Sequence, residues 1–288
     1  MKVLITGATG QLGRALTKVA PAAVVAIALD RRHLDITDEA VLGRKLDELR
    51  PDVLINAAAY TAVDKAESDR DRAYAINAQA VGSLARVCAA RGVKLIQVST
   101  DFVFDGTRGR PYRPDDATAP LNVYGASKLE GERLIQATAG LRWLIVRTAW
   151  VYASYGHNFM LTMLRLFRER PRVTVVADQI GCPTSANSLA QCVWQSAVDT
   201  GPSAILQFTD AGVASWYDFA VAIYEEARAL DLIQNAVDVV PIRTEQYPTP
   251  AQRPSFSVLE RQPTLERLGL APIHWRASLR QVLQELQA

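Results

Sequence analysis

Tyr124 and Lys128 stand four residues apart in Pro120-Leu121-Asn122-Val123-Tyr124-Gly125-Ala126-Ser127-Lys128. On a helix that spacing puts both side chains on one face. An ammonium beside a phenol favours the phenolate. Lys128 is therefore expected to lower the tyrosine pKa from about 10, giving a proton donor or acceptor near neutral pH. The spacing by itself is common on solvated helices, so the chemistry must be supported elsewhere in the chain.

Support begins at the first residues. Val3 to Ile5 is a short apolar run that reads as a buried parallel strand. Gly7, Gly10 and Gly13 follow, and then the helix-like Arg14 to Ala20. The spacing is Gly-x-x-Gly-x-x-Gly. Gly7 permits a tight turn, Gly10 lets a pyrophosphate approach the backbone, and Gly13 lets the helix pack on the strand. The helix N-terminus attracts phosphate. Val24 to Leu29 is a second apolar strand, ending at Asp30, 17 residues past Gly13 (30 − 13). A carboxylate there is expected to bond the ribose hydroxyls of a dinucleotide. Arg31 and Arg32 follow directly, and guanidinium groups favour a 2′-phosphate. NADH and NADPH both fit, with the arginines tilting the reading to NADPH or to use of both.

Further strands recur at Val53 to Ala59, Val93 to Thr100 and Leu144 to Thr148. They are separated by helix-like Glu39 to Leu49, Ala73 to Ala90 and the segment carrying Lys128. Strands alternating with helices imply right-handed crossovers and a parallel sheet. The expected class is α/β, a Rossmann-type doubly wound parallel sheet with a smaller α/β substrate-binding domain. Ligands in such sheets bind at the carboxyl ends of the strands. One cleft there gathers the glycine turn, Asp30, Ala57 to Thr61, Ser99 to Asp101 and Thr148 to Trp150.

The ordered set Gly7-x-x-Gly10-x-x-Gly13, Asn56-Ala57-Ala58-Ala59, Ser99-Thr100 and Tyr124-x-x-x-Lys128 resembles an extended short-chain dehydrogenase/reductase. Longer strings narrow the resemblance to the dTDP-4-dehydrorhamnose reductase family. They are Asn56 to Glu67, Ser99 to Gly106, Pro120 to Gly125, Arg147 to Tyr152, Asp178-Gln179-x-Gly181-x-Pro183-Thr184 and Arg253-Pro254. The match runs nearly end to end. Members of the family reduce the C4 keto group of dTDP-4-keto-L-rhamnose, in dTDP-rhamnose and cell-surface polysaccharide biosynthesis.

The resemblance implies roles. Tyr124 would donate the proton. Lys128 would hold the nicotinamide ribose and tune the phenol, and Thr100 would bond the substrate carbonyl and the phenol. Gln11, Leu12, Asp35, Ile36, Ala58, Ala59 and Tyr60 would join the glycines, Asp30 and Arg31 around the cofactor. Asp101 and Trp150 would touch the sugar. Arg253 would pair with the substrate diphosphate, although close relatives often carry a second basic residue where this chain has Gln252. Some members place magnesium at a dimer contact; no carboxylate cluster in this sequence supports one. Both monomers and homodimers occur in the family.

Composition sets bounds. The 288 residues suffice for one large or two small domains. The net charge of +2, with no basic or acidic block, gives no support for nucleic-acid or membrane binding. Cys88, Cys182 and Cys192 form no Cys-x-x-Cys, and His33, His157 and His274 are scattered, so no metal site follows. No apolar run reaches the ~18 residues of a membrane span. A strand starting at Val3 leaves no room for a signal peptide, so a cytoplasmic location is expected.

After Val151 the alternation loosens. The expected division is an NAD(P)-binding domain over 1–151, with return segments at about 175–203 and 232–248, and a substrate-binding domain in the remainder of 152–288. Two other readings compete. One is a nucleotide-sugar epimerase or dehydratase that returns the hydride; the reductase-like Ser99 to Phe104 string argues against it. The other is a non-catalytic subunit like the regulatory subunit of methionine adenosyltransferase; Thr100, Tyr124 and Lys128, all present, argue against that.

Overall fold

The apolar runs are long enough to be strands covered on both faces, and that is how they fold. The computed structural model describes residues 1–287. Its first half runs β1 (Lys2–Thr6), α1 (Gln11–Lys18), β2 (Val25–Leu29), α2 (Glu39–Leu49), β3 (Val53–Asn56), α3 (Val63–Ala66), α4 (Arg70–Tyr74), a π-helical turn (Ala75–Gln79), α5 (Ala80–Ala89), β4 (Lys94–Thr100), α6 (Val123–Gln136) and β5 (Trp143–Thr148). The second half runs β6 (Val151–Tyr152), α7 (Phe159–Glu169), β7 (Arg172–Val176), β8 (Ile180–Gly181), β9 (Thr184–Ser185), α8 (Ala186–Val198), β10 (Ala204–Gln207), β11 (Ala214–Ser215), α9 (Trp216–Ala229), β12 (Asp238–Ile242), α10 (Gln262–Leu268) and α11 (Trp275–Gln284).

The main sheet is parallel, in the order β2-β1-β3-β4-β5-β10. The order reverses direction between β1 and β3, and such a switch point opens a crevice at the strands' carboxyl ends. One face buries Val3, Ile5, Val53, Ile55 and Val146 against α1 and α8; Trp194 of α8 lies in this core. The other face buries Leu4, Leu54, Leu95 and Ile145 against α2 and α5. A second core, with Met160, Phe167, Phe219, Ile223 and Leu279, joins α7, α9 and α11. No helix among the described residues is long and apolar enough to cross a membrane.

Two expectations change. β3 stops at Asn56, and 57–62 is a loop rather than more strand. Residues 232–248 do not return to the main sheet: β12 pairs with β7, from Asp238↔Arg172 to Ile242↔Val176. The sheet edge beside β5 is already taken by β10, and Val173, Val175 and Ile233 need the cover of the second core. Within 175–203 only α8 packs on the main sheet. β8 pairs with β11 and β9 with β6, outside it.

Candidate active site

The glycine turn is built by close approach. Gly7 has φ +70°, and a Cβ on it would come within 2.7 Å of Ala58 N and 2.8 Å of Ala57 O. A Cβ on Gly13 would collide with the Gly7 carbonyl oxygen. Helix α1 begins at N-cap Gly10 with no side-chain cap, so its first N–H groups stay free for an anion. Gly13→Ala is expected to weaken NADPH binding at least about fivefold, because overpacking against a backbone oxygen costs ~1–3 kcal/mol. A fluorescence titration with parental affinity would refute this.

Beside the turn, at the switch point, lies a cleft of ≈390 Å³. Gly7, Gly10, Arg31, Asp35, Ile36, Ala58, Ala59 and Tyr60 line it, as do Thr9, Thr37, Arg72 and Ile76, which the sequence did not single out. Gln11, Leu12 and Gly13 continue from the turn into α1 and do not line it. Asp30 is also outside the lining. Its Oδ1 accepts from Arg32 N at 3.0 Å and His33 N at 3.1 Å and contacts His33 Nδ1 at 2.7 Å, so this oxygen closes its own turn. Arg31 Nε donates to Asp35 Oδ2 at 3.1 Å. A glycine cradle, an uncapped helix start and a flanking guanidinium fit the pyrophosphate and adenosine parts of a nicotinamide dinucleotide.

Farther along the same strand ends lie Thr100 of β4 and the start of α6. Asn122 caps α6 by accepting from Gly125 N at 2.8 Å, which places Tyr124 in the first turn. A Cβ on Gly125 would strike the Phe102 carbonyl, so glycine is what lets α6 lie against the turn after Thr100. The phenol meets Phe102 edge-on, with ring centroids 5.9 Å apart.

The expected depression of the Tyr124 pKa is not found. Burial pushes the phenol up to about 12, the nearby Asp101 adds to the rise, and hydrogen bonding with Thr100 opposes it. The Lys128 ammonium is engaged on the sheet, where Nζ donates to the Val98 carbonyl at 2.6 Å. Burial brings Lys128 itself down to about 8, against the pull of Glu132.

Val98 O belongs to a buried polar row. Thr6, Asn56 and Gln97 are register partners on β1, β3 and β4, so their side chains share one face. Thr6 Oγ1 donates to Asn56 Oδ1 at 2.5 Å, and Asn56 Nδ2 to Gln97 Oε1 at 2.8 Å. Gln97 Nε2 then donates to Val98 O at 2.7 Å. The row carries order from the glycine turn to the carbonyl that anchors Lys128.

Trp150 has φ +48°, a left-handed backbone that is costly for a bulky residue. Its ring stacks on Trp216 at 3.5 Å, and a Cβ on Gly181 would come within 2.6 Å of Trp150 Cε2. One ring face is thus covered by Trp216, and the backbone at Gly181 crowds the ring as well. Arg253 is bound to Asp64, with Nη2 to Oδ2 at 2.8 Å.

A family model described as RmlD substrate binding domain matches residues 1–288. The dTDP-4-dehydrorhamnose reductase of Burkholderia thailandensis is 42% identical, with 99% of each chain covered. The chain belongs to the dTDP-4-dehydrorhamnose reductase family. A crystal structure of a family member from Clostridium acetobutylicum superposes with TM-score 0.93 at 40% identity, covering 100% of both chains. One from Bacillus anthracis, in complex with NADP, gives 0.90 at 36% identity and 99% coverage of both.

Within this family member, two further residues tie the site together. Asn77 lies in the π-helical turn, 2% exposed. Its Oδ1 accepts from Tyr60 N at 2.9 Å, and its Nδ2 donates to Tyr60 O and to Ser127 Oγ, both at 3.0 Å. It thereby fixes the cleft loop to α6. The sequence does not mark it out, because the helix-like Ala73 to Ala90 also carries Gln79, Ser83 and Arg86. Glu67 Oε1 accepts from Val123 N at 2.8 Å, at the first turn of the helix bearing Tyr124.

Asp101 is 2% exposed, and its Oδ2 has no partner among the described residues. Burial pushes its carboxyl up to about 6, against the opposing effect of Thr100 Oγ1, which donates to Oδ1 at 3.0 Å. An acid raised this way binds a proton in the folded state that the unfolded chain has lost, so stability falls as pH rises from about 4 to about 6. Asp101→Asn is expected to melt several degrees higher than the parent at pH 8 and to lose that advantage below pH 4. Equal melting curves at pH 8 would contradict it. No group of three His, Cys, Asp or Glu able to hold a metal ion occurs among the described residues.

Proposed function

We propose that this chain reduces the C4 keto group of dTDP-4-dehydro-L-rhamnose to dTDP-L-rhamnose, using NADPH or NADH, with Tyr124 as the proton donor. When bound, the reduced nicotinamide supplies the hydride. The observation that carries the reading is the family match over the whole chain, with the Tyr124 phenol set beside Thr100 at the strand ends. With its pKa at about 12, that phenol carries its proton throughout the neutral range. It suits a reduction, in which the developing alkoxide must receive a proton. Thr100 Oγ1 lies beside the phenol and donates its one hydrogen to Asp101 Oδ1 at 3.0 Å; it would turn that hydrogen to the sugar oxygen when the substrate is bound. Lys128, with three N–H donors and one given to Val98 O, keeps two for ribose hydroxyls.

The sugar would lie between the sheet edge and the second core, with Asp101 and Trp150 beside it and Arg253 at the diphosphate. Residues 1–151 with α8 and β10 would form the cofactor-binding unit, and most of the remainder the sugar-binding unit. A place in dTDP-rhamnose and cell-surface polysaccharide biosynthesis, a cytoplasmic location and a monomeric or dimeric state complete the reading. The reductase reading is preferred over an epimerase because the Ser99 to Phe104 string is reductase-like and the relatives of about 40% identity over the whole chain are reductases.

The test is nicotinamide absorbance with purified protein, NADPH or NADH, and the keto sugar. Loss of reduced cofactor one for one with dTDP-L-rhamnose supports the reading and ranks the cofactors. Cofactor binding without turnover would redirect it to a non-catalytic subunit.

A further inference from the structure

Arg253 is held from one side only. Its Nη1 donates to Asp64 Oδ1 at 3.0 Å and its Nη2 to Asp64 Oδ2 at 2.8 Å. Nη1 also donates to Thr249 Oγ1 at 2.6 Å and to the Ala251 carbonyl at 3.0 Å. All these bonds use the end of the guanidinium formed by the two Nη groups. The other edge, Nε–H with the second Nη2–H, has no partner among the described residues. A guanidinium is a rigid planar fork with five donors, and a free edge of this kind takes a phosphate with two parallel bonds.

The pair is too exposed to be explained by stability. The side chains are 22% and 42% exposed, and such ion pairs contribute ~0–1 kcal/mol. Its geometric effect is larger. The Arg253 loop is already pinned to the catalytic helix, because Asn122 Nδ2 donates to the Gln252 carbonyl at 2.8 Å. Asp64 Oδ1 accepts from Ala251 N at 3.3 Å as well, fixing the loop backbone and the side chain together.

We propose that Asp64 is a positioning residue for substrate binding: it clamps the Nη end of Arg253 and leaves the Nε edge presented to the diphosphate of a nucleotide sugar. The inference rests on the assignment of Arg253 made under the proposed function. A guanidinium oriented in advance loses less rotamer freedom when the phosphate arrives. Removing the clamp leaves Nη1 with Thr249 and the Ala251 carbonyl, and frees the Nη2 side of the fork to turn.

The experiment measures dTDP binding by calorimetry, and KM for the keto sugar and for NADPH. It uses the full chain with Asp64→Asn, Asp64→Ala, Arg253→Ala and the Asp64→Ala/Arg253→Ala pair, each checked for parental melting. Both Asp64 variants are expected to weaken dTDP binding and raise the sugar KM about tenfold, with the NADPH KM moving less than about twofold. The double variant is expected to bind no worse than Arg253→Ala alone, because Asp64 acts through the arginine. Parental or tighter dTDP binding in the Asp64 variants, with weak binding in Arg253→Ala, overturns the positioning role. Parental binding in Arg253→Ala overturns the diphosphate assignment and this proposal together, and leaves the reduction itself to be judged by turnover.

Discussion

Tyr124→Phe is expected to lower kcat by about 10²- to 10⁴-fold while leaving NADPH affinity within about twofold. The phenylalanine keeps the ring against Phe102 and removes only the hydroxyl. What is lost is the proton for the developing alkoxide. With the phenol at about 12, the parent protein holds that proton over the whole neutral range, so its kcat should not fall for lack of it below pH 9. Steady-state kinetics with saturating NADPH and keto sugar decide the matter. Near-parental kcat in the variant would remove Tyr124 from the proton-transfer role and point to Thr100 or Asp101.

Glu132→Ala is expected to cost ~3–5 kcal/mol of stability, the scale for breaking a buried ion pair from one side. Glu132 is fully buried, and Arg147 beside it is 2% exposed. The guanidinium donates to it through Nη2 at 2.7 Å and Nε at 3.0 Å, and Ser99 Oγ donates to it at 2.5 Å. Alanine would leave Arg147 with the Pro114 carbonyl as its remaining partner. Urea unfolding measures the loss, and a change below about 1 kcal/mol would contradict the account. Glu132→Gln is milder and tests chemistry. Glu132 raises the pKa of Lys128, so removing its charge should take Lys128 below about 8. The ammonium would then be lost at lower pH. The alkaline fall of kcat/KM for NADPH should move to lower pH by the same amount, while a purely structural role for Glu132 would leave the profile in place.

Much of this architecture is legible in the chain because local and global signals agree. The run Val3 to Ile5, the three glycines and the helix after them specify one turn with one use. The Tyr124 and Lys128 spacing holds because Asn122 supplies a cap and Gly125 removes a side chain where the helix meets Phe102. What escapes the sequence is set by contacts between distant segments. The environment of Tyr124 depends on burial and on Asp101, and the ammonium four residues away turns to a carbonyl on β4. Asp30 stands where a ribose ligand is expected, and the sequence does not show that its Oδ1 also accepts from the backbone of the next residues. Nothing in the sequence marks Asp64 until the fold brings Arg253 to it from 189 positions away (253 − 64). Residues 232–248 carry a strand pattern, but a pattern does not say which sheet edge is free.

The buried row of Thr6, Asn56 and Gln97 has a consequence for how the chain finds its alignment. These residues lie on three strands brought together across long crossovers, where apolar side chains alone tolerate sliding. A slip of one residue would turn Asn56 or Gln97 to the opposite face and leave an amide buried among valines and isoleucines without a partner, at ~1–3 kcal/mol per orphaned group. The row therefore acts as a register lock. Only the alignment that satisfies all three side chains also brings the glycine turn level with the Val98 carbonyl, so strand pairings competent for cofactor binding are selected during folding itself.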